Sequence, residues 1–539
     1  MEGQSQFDRF HVNNKSRLAS SREWLLPFAL IVMVSSLTFL GTSLLDFEAG
    51  PRLPGFWSTL LLSDATSTLD DVGNLAEVLI GVLGLTLTVV AIVVQLAAQR
   101  YTPKLVDLFL ADRVNALTFL GMVFATVFCI WIIYSSRTDY VPVYGKLLLM
   151  IITTVLLTLL IPYFRYVFKF LTPSNIIETI EANLARMVDE SVKMDDGIAL
   201  EKQKSLVANG LEQVTDIALS AVTQMDRNVA LMSINTLSAI LRNYTKNKTR
   251  LKEAWFRPNP SQFIAISSEF FDEIAERRLW VEARGFMDME LIFGLALRTM
   301  PDANSAIGAN TRELCITAIE NEDAEAAYLC VEYFNTFLRR SINDNNVRAV
   351  FSLLYQYRRL AEYLLPKQLQ LGEEIAGFIN YYGQQAMRVG MPFLKVAAAM
   401  DIGILLRHGY ALNVSPMDRM LEDFLSIGES PDLHDIAFAH EGVRKAHVIL
   451  AAHLMAQGKS SDHLQRISES LRRESPAWLE NIKTALLNVT KQKFWEITDR
   501  GGINFEYIEP KLKDALSKFY EEYLVLPAKK PRKQARKKS

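Results

Sequence analysis

Five of the seven histidines in this chain of 539 residues, His434, His440, His447, His453 and His463, fall within one stretch of thirty, which raises metal binding or proton sensing as candidate chemistry. Their spacing argues against a shared ion. His440 and His447 share a helical face but lie two turns, about 10 Å, apart. His440-Glu441 lacks the second histidine of a zinc-hydrolase helix, because Arg444 stands in its place. Gly458-Lys459-Ser460 has the ending of a phosphate loop, yet position 453 is histidine where that loop needs its first glycine, and no strand precedes it. Adjacent carboxylates such as Asp70-Asp71 and Asp195-Asp196 point apart on a helix and read as solvated; Glu313, Glu320, Glu322, Asp323 and Glu325 read as an acidic surface patch. With no nucleophile elbow, calcium loop or dinucleotide fingerprint, the expectation is that the protein is not an enzyme and holds neither metal nor cofactor.

A different pattern lies between residues 77 and 99. Glu77, Gly81, Gly84, Thr88, Ala91, Gln95 and Ala98 recur at alternating steps of four and three and so share one helical stripe, with Gln99 one turn beyond Gln95. Small residues there let another backbone come close, and Gln95 would be costly against lipid. The first reading is a packing seam within the chain. The sharper one is a water-lined path in an oligomer, with Glu77 at the outer mouth and Gln95 and Gln99 at the inner.

The stripe belongs to one of four apolar runs expected at about 24–45, 78–98, 114–134 and 143–166, each long enough for a bilayer. Lys146 is expected to snorkel to the interface. Gly121, Ala125 and Cys129 mark a small-residue face on the third run, directed at the second, and Ser35, Thr38 and Thr42 do so on the first. Arg9, Lys15, Arg17 and Arg22 precede the first run, and Arg100, Lys104 and Arg113 fill the second loop. The first loop is acidic. The positive-inside rule therefore puts both termini in the cytoplasm of a bacterial inner membrane. After Thr102-Pro103 a short interfacial helix is expected, its apolar face made by Val106, Phe109 and Leu110, with Arg100 and Lys104 toward lipid phosphates and Arg113 at the interface, paired either with Asp112 or with a lipid headgroup.

The stretch TLTVVAIVVQLAAQRYTPKLVDLFLADR resembles a family of bacterial membrane proteins, domain of unknown function 2254. The resemblance rests on Gln95, Leu96 and Ala97 closing a helix, then Tyr101, Pro103, and the acidic-Arg pair Asp112 and Arg113 closing a short helix. It implies a four-helix membrane portion followed by a cytoplasmic part, and lends no activity. A fainter echo at Ala218, Leu219, Ser220 and Asp226 departs from the family, with AVTQMDRN in place of its proline-containing turn.

The fold class expected is thus an all-α membrane protein: a cytoplasmic segment 1–23, a four-helix transmembrane domain 24–171, a large cytoplasmic all-helical domain 172–528 with a solenoid as one arrangement, and a basic disordered tail 529–539. Helical periodicity dominates the third part, with helices expected at 263–283, 285–299 and 432–455 among others. Cys129, Cys315 and Cys330 form no disulfide framework and suit a reducing compartment. A net charge of -2 argues against nucleic acid as a partner, whereas Lys529, Lys530, Arg532, Lys533, Arg536, Lys537 and Lys538 are suited to anionic lipid. The expected partners are membrane lipids, copies of the chain in a homo-oligomer and a cytoplasmic protein. The expected role is a membrane-anchored interaction or regulatory module, with an oligomeric channel or transporter lined by the second transmembrane helix as the alternative.

Overall fold

The computed structural model describes residues 14–49, 65–102, 105–137, 140–195, 197–260, 263, 266–458, 461–494, 502 and 504–524. The chain divides into two compact units, Met1–Ile176 and Ile177–Ser539. Among the described residues both are helical, with an isolated bridge between Arg137 and Tyr140.

The first unit holds α1 (Asn14–Ala49), α2 (Ala65–Arg100), the short α3 (Leu105–Leu110), α4 (Arg113–Ser135) and α5 (Val143–Phe170). All but α3 contain a stretch long and apolar enough to cross a membrane, which makes this a multi-pass membrane protein. α2 begins well before the apolar run that announced it. Leu69, Val72, Ala76 and Leu79 keep apolar residues on one face at steps of three and four, so the helix continues through a segment expected to be loop. At 36 residues it is roughly 54 Å long, well beyond the hydrocarbon thickness.

α4 sits at the centre of the unit, against α1, α2 and α5, while α1 also packs on α5. Val72, Ala76 and Leu79 of α2 meet Ala125, Phe128, Cys129 and Ile132 of α4 and Leu149 of α5 in one buried cluster. Ala125 and Cys129 thus face α2 as their spacing suggested. Gly121 lies instead against α5, where an added methyl would come 3.3 Å from Leu156 Cδ2. Ser35 and Thr42 of α1 are buried, with the Phe39 and Trp131 rings 5.4 Å apart across the α1–α4 contact.

Two acidic residues bind one end of this bundle. Asp46 Oδ1 accepts the Tyr144 amide at 3.1 Å, capping the first turn of α5 from the end of α1. Lys146 does not snorkel: its side chain is 6% exposed and its Nζ lies 2.6 Å from Asp71 Oδ2, whose side chain is 56% exposed. Asp71 therefore differs from its neighbour Asp70, because the early start of α2 carries it to a buried ammonium that the sequence did not associate with it.

The second unit is built from α6 (Pro173–Ser191), which starts at the boundary, α7 (Ile198–Thr223), α8 (Arg227–Asn247), α9 (Ser268–Glu276), α10 (Trp280–Ala296), α11 (Pro301–Glu320), α12 (Ala324–Asn343), α13 (Val347–Leu364), α14 (Leu369–Arg388) and α15 (Phe393–Ala411). It continues through α16 (Asp418–Ile427), α17 (Pro431–His434), α18 (Ala437–Ala456), α19 (Ser461–Leu471), α20 (Pro476–Asn488) and α21 (Pro510–Phe519). Contacts run between helices close in sequence: α7 with α8 and α10, α11 with α8, α12 and α13, α14 with α13 and α15, then α15 with α18 and α18 with α21. Three junctions use one device. Met225, Glu322 and Asn345 adopt φ of 58°, 58° and 53°. The following amides of Asp226, Asp323 and Asn346 reach back to Ala221, Ala318 and Ser341 carbonyls at 2.8, 2.9 and 2.9 Å. Their side chains then cap the next helix through Val229, Ala326 and Ala349. Asp226, in the turn that departs from the family pattern, is thus a helix cap.

Two sequence-expected boundaries move. The break near residue 284 falls instead at Arg278, where φ is 57° and the Leu279 amide returns to Ile274. The helix expected over 432–455 splits into α17 and α18. Asp323 is no surface residue either: Lys248 Nζ lies 2.8 Å from Asp323 Oδ2 and 2.9 Å from Glu282 Oε1, joining α8, α10 and α12 in the interior. Burial pushes the Glu282 carboxyl above its ordinary range, and Lys248 pulls it back. Replacing Lys248 with Met would leave that carboxylate buried without its counter-charge, at a cost of about 3–5 kcal/mol. Denaturant titration of the full-length protein in detergent is expected to show this loss, while Lys246→Met on the exposed face of α8 changes stability by less than about 0.5 kcal/mol.

Candidate functional site

α2 presents two unlike faces. One carries Val72, Ala76, Leu79, Thr86, Val90, Val94 and Ala98, all buried against the rest of the unit. The other carries Glu77, Gly81, Gly84, Thr88, Ala91, Gln95 and Gln99, all exposed on the single chain. A methyl placed on Gly81 or Gly84 would meet nothing within 4 Å. The seam within the chain is therefore corrected: of the residues on that stripe only Ala98 packs inward, because the apolar 72/76/79 register wins the contact with α4. Exposed Ile80 and Leu87 flank the small residues on one side, and Leu85 and Ile92 on the other, so that Gly81, Gly84 and Ala91 form the floor of a shallow groove between aliphatic ridges. Thr88 returns its hydroxyl to the Gly84 carbonyl at 2.8 Å, which satisfies it without a partner from elsewhere.

Below this groove the chain turns. Tyr101 donates its amide to Ala97 at 2.9 Å, with Arg100 Cζ 5.3 Å from the Tyr101 ring centre. α3 then buries Leu105 and Phe109, and the Phe109 ring lies edge-on to Phe170 at 5.8 Å. Val106 and Leu110, expected on that same face, are exposed instead, since α3 offers a stripe one residue out of register with the expected one. Asp112 Oδ2 accepts the Val114 and Asn115 amides at 3.0 and 3.1 Å, and Asn115 Nδ2 donates to the Phe109 carbonyl at 3.0 Å. With Asp112 occupied as the α4 cap, Arg113 is exposed and makes no ion pair among the described residues. Lys104 and the basic residues Lys529, Lys530, Arg532, Lys533, Arg536, Lys537 and Lys538 lie outside the described residues.

This helix, aromatic, short helix and acidic cap are the features on which the resemblance rested. Residues 20–209 match a family described as Predicted membrane protein (DUF2254). The DUF2254 match takes in all four spans and runs into α7, beyond the stretch that suggested it. The chain matches no curated protein and no solved structure.

The histidines, outside the DUF2254 match, divide among separate partners. His440 Nε2 meets Glu474 at 3.0 Å, and its ring lies 4.4 Å from that of His434. His447 is fully buried, with Nε2 3.0 Å from the Phe424 carbonyl and Nδ1 3.4 Å from Arg444 Nη1. His453 serves Ile449 and Arg407. His463, with Asp418 and Asp462, brings three ligand atoms within 4.8 Å of one another. Arg466 Nη1 already occupies Asp418 at 2.9 Å, however, so the group reads as an ion-pair cluster at the surface. Burial, with the Arg444 guanidinium adding to it, pulls the His447 pKa from 6.5 down to about 3. Below pH 6.5 an unfolded chain takes up a proton there that the folded chain refuses until about pH 3, so His447 favours the folded state fully above 6.5 and progressively less through that window. His447→Gln is expected to flatten the fall in melting temperature between about pH 7 and 5. An unchanged slope would assign the acid sensitivity to other groups.

Proposed function

We propose that this protein is a membrane-anchored helical interaction or regulatory module, assembled as a homo-oligomer through α2. The observation that carries the reading is the exposed face of α2, where glycine, alanine, threonine and glutamine occupy ground that lipid-facing helices give to large aliphatic residues. A groove floored by Gly81, Gly84 and Ala91 receives a second helix at short range, and copies of the chain bring Gln95 and Gln99 to one another rather than to hydrocarbon. The orientation in this proposal follows the basic flanks: a bacterial inner membrane with the N-terminus, the α2–α4 loop and the helical region cytoplasmic, Arg100, Lys104 and Arg113 at the lipid headgroups, and the basic tail on the anionic leaflet. Packing between sequence neighbours supports a stacked, solenoid-like arrangement of the helical region, which suits the binding of a cytoplasmic protein.

Oxidative cross-linking in native membranes tests the assembly. Thr88→Cys is expected to give a dimer-sized product and Val90→Cys, on the buried face, none; equal products from both would remove α2 as the interface.

A second reading has its own observation, the polar residues Glu77, Gln95 and Gln99 on the same exposed stripe, which suit a water-lined path between copies. Solute flux in liposomes that Gln95→Leu suppresses supports conduction. Silent but correctly assembled oligomers leave the scaffold reading in place.

A further inference from the structure

In the second unit α15 and α18, with Gln492, Lys493, Gly502, Asn504, Phe505 and Tyr507, line a half-open cavity of about 400 Å³, a size suited to a small molecule. Its walls include the aliphatic side chains of Ile404 and Ile449, the ring of Phe505 and the phenol of Tyr507, with Lys493 exposed at the edge. No acidic side chain lines it among the described residues. Into it faces Arg407, on α15.

Arg407 differs from the two most deeply buried guanidinium groups of this unit. Arg358 has Asp401 at 3.0 Å as well as Glu362, and Arg444 has Glu474 at 2.8 Å. Arg407 makes no ion pair among the described residues. Its Nε donates to the Gly403 carbonyl at 3.3 Å, and its Nη1 lies 3.4 Å from His453 Nε2. His453 Nδ1 is 3.2 Å from the Ile449 carbonyl and must donate there, which leaves Nε2 as a lone pair for the guanidinium and keeps the imidazole neutral. The carboxylates whose field reaches Arg407 are engaged elsewhere: Glu362 with Arg358 and Arg359, Glu509 with Lys511 at 2.9 Å. Burial, with Arg358 adding to it, draws the Arg407 pKa down to about 10. Burying a cation with no carboxylate partner among the described residues costs free energy, and the remaining N–H groups of Arg407 form a fork matched to a planar or tetrahedral oxyanion.

We propose that Arg407 anchors a binding site for a small organic anion, with the carboxylate or phosphate group on the guanidinium, Lys493 adding charge at the edge, and the apolar body of the ligand against Ile404, Ile449 and Phe505. The site is independent of the α2 groove and of any assembly through it.

The test uses the full-length protein in detergent, with inorganic phosphate and benzoate as probes at matched ionic strength and thermal unfolding as the readout. At least one probe raises the wild-type melting temperature by several degrees, and which one does so separates a phosphate from a carboxylate ligand. Arg407→Met abolishes that rise and melts higher than wild type when no probe is present, because the unpaired cation is gone. Lys493→Gln leaves probe-free melting unchanged and weakens the response several-fold, which reads the site even if the Arg407 variant folds poorly. A wild type indifferent to both probes, an Arg407→Met protein that responds as wild type does, or an undiminished Lys493→Gln response overturns the assignment.

Discussion

Hydrocarbon offers no partner to a backbone amide, and the membrane unit is organised around that fact. Each span must satisfy its own main chain as a helix, so what remains to be decided is which side of each helix meets which neighbour. α4 settles this by offering Ala125, Phe128, Cys129 and Ile132 at the centre of the unit, a surface of small and aromatic residues that α2 and α5 can approach closely. At one end of the bundle two carboxylates tie the helices together, Asp46 holding the first turn of α5 and Asp71 holding Lys146.

The helical region solves a different problem, since water competes there for every polar group. Its junctions are economical: a left-handed residue ends one helix and the Asp or Asn after it starts the next. Interior charges are matched in small networks such as Lys248 with Glu282 and Asp323 or Arg358 with Asp401. Stacked rings, Phe286 on Tyr333, Phe293 on Phe337 and Phe334 on Tyr357, fill the space between α10, α12 and α13. Two features stand apart from these pairings, a stripe of small and polar residues between aliphatic ridges on the outward side of α2 and, in Arg407, an interior arginine with no carboxylate partner among the described residues. Local rules are broken where something outside the chain is expected to complete them.

Helix content, the four spans and the start of the helical region at Thr172-Pro173 were legible in the sequence, because a run of about twenty apolar residues or a period of 3.6 is a property of neighbours along the chain. The family resemblance was legible for the same reason, resting on consecutive residues from Gln95 to Arg113. Which face of a helix is buried is a relation between elements distant in sequence. Glu77, Gly81, Gly84, Thr88 and Gln95 could be placed on one stripe from spacing alone, but only the packing of Val72, Ala76 and Leu79 on α4 turned that stripe outward. The pairing of Lys146 with Asp71 spans 75 positions and leaves no local trace. Arg407 likewise looks like any helical arginine until Ile449 of α18, Phe505 and Tyr507 line the same cavity, since charge pairing is set by distance in space while sequence records only order.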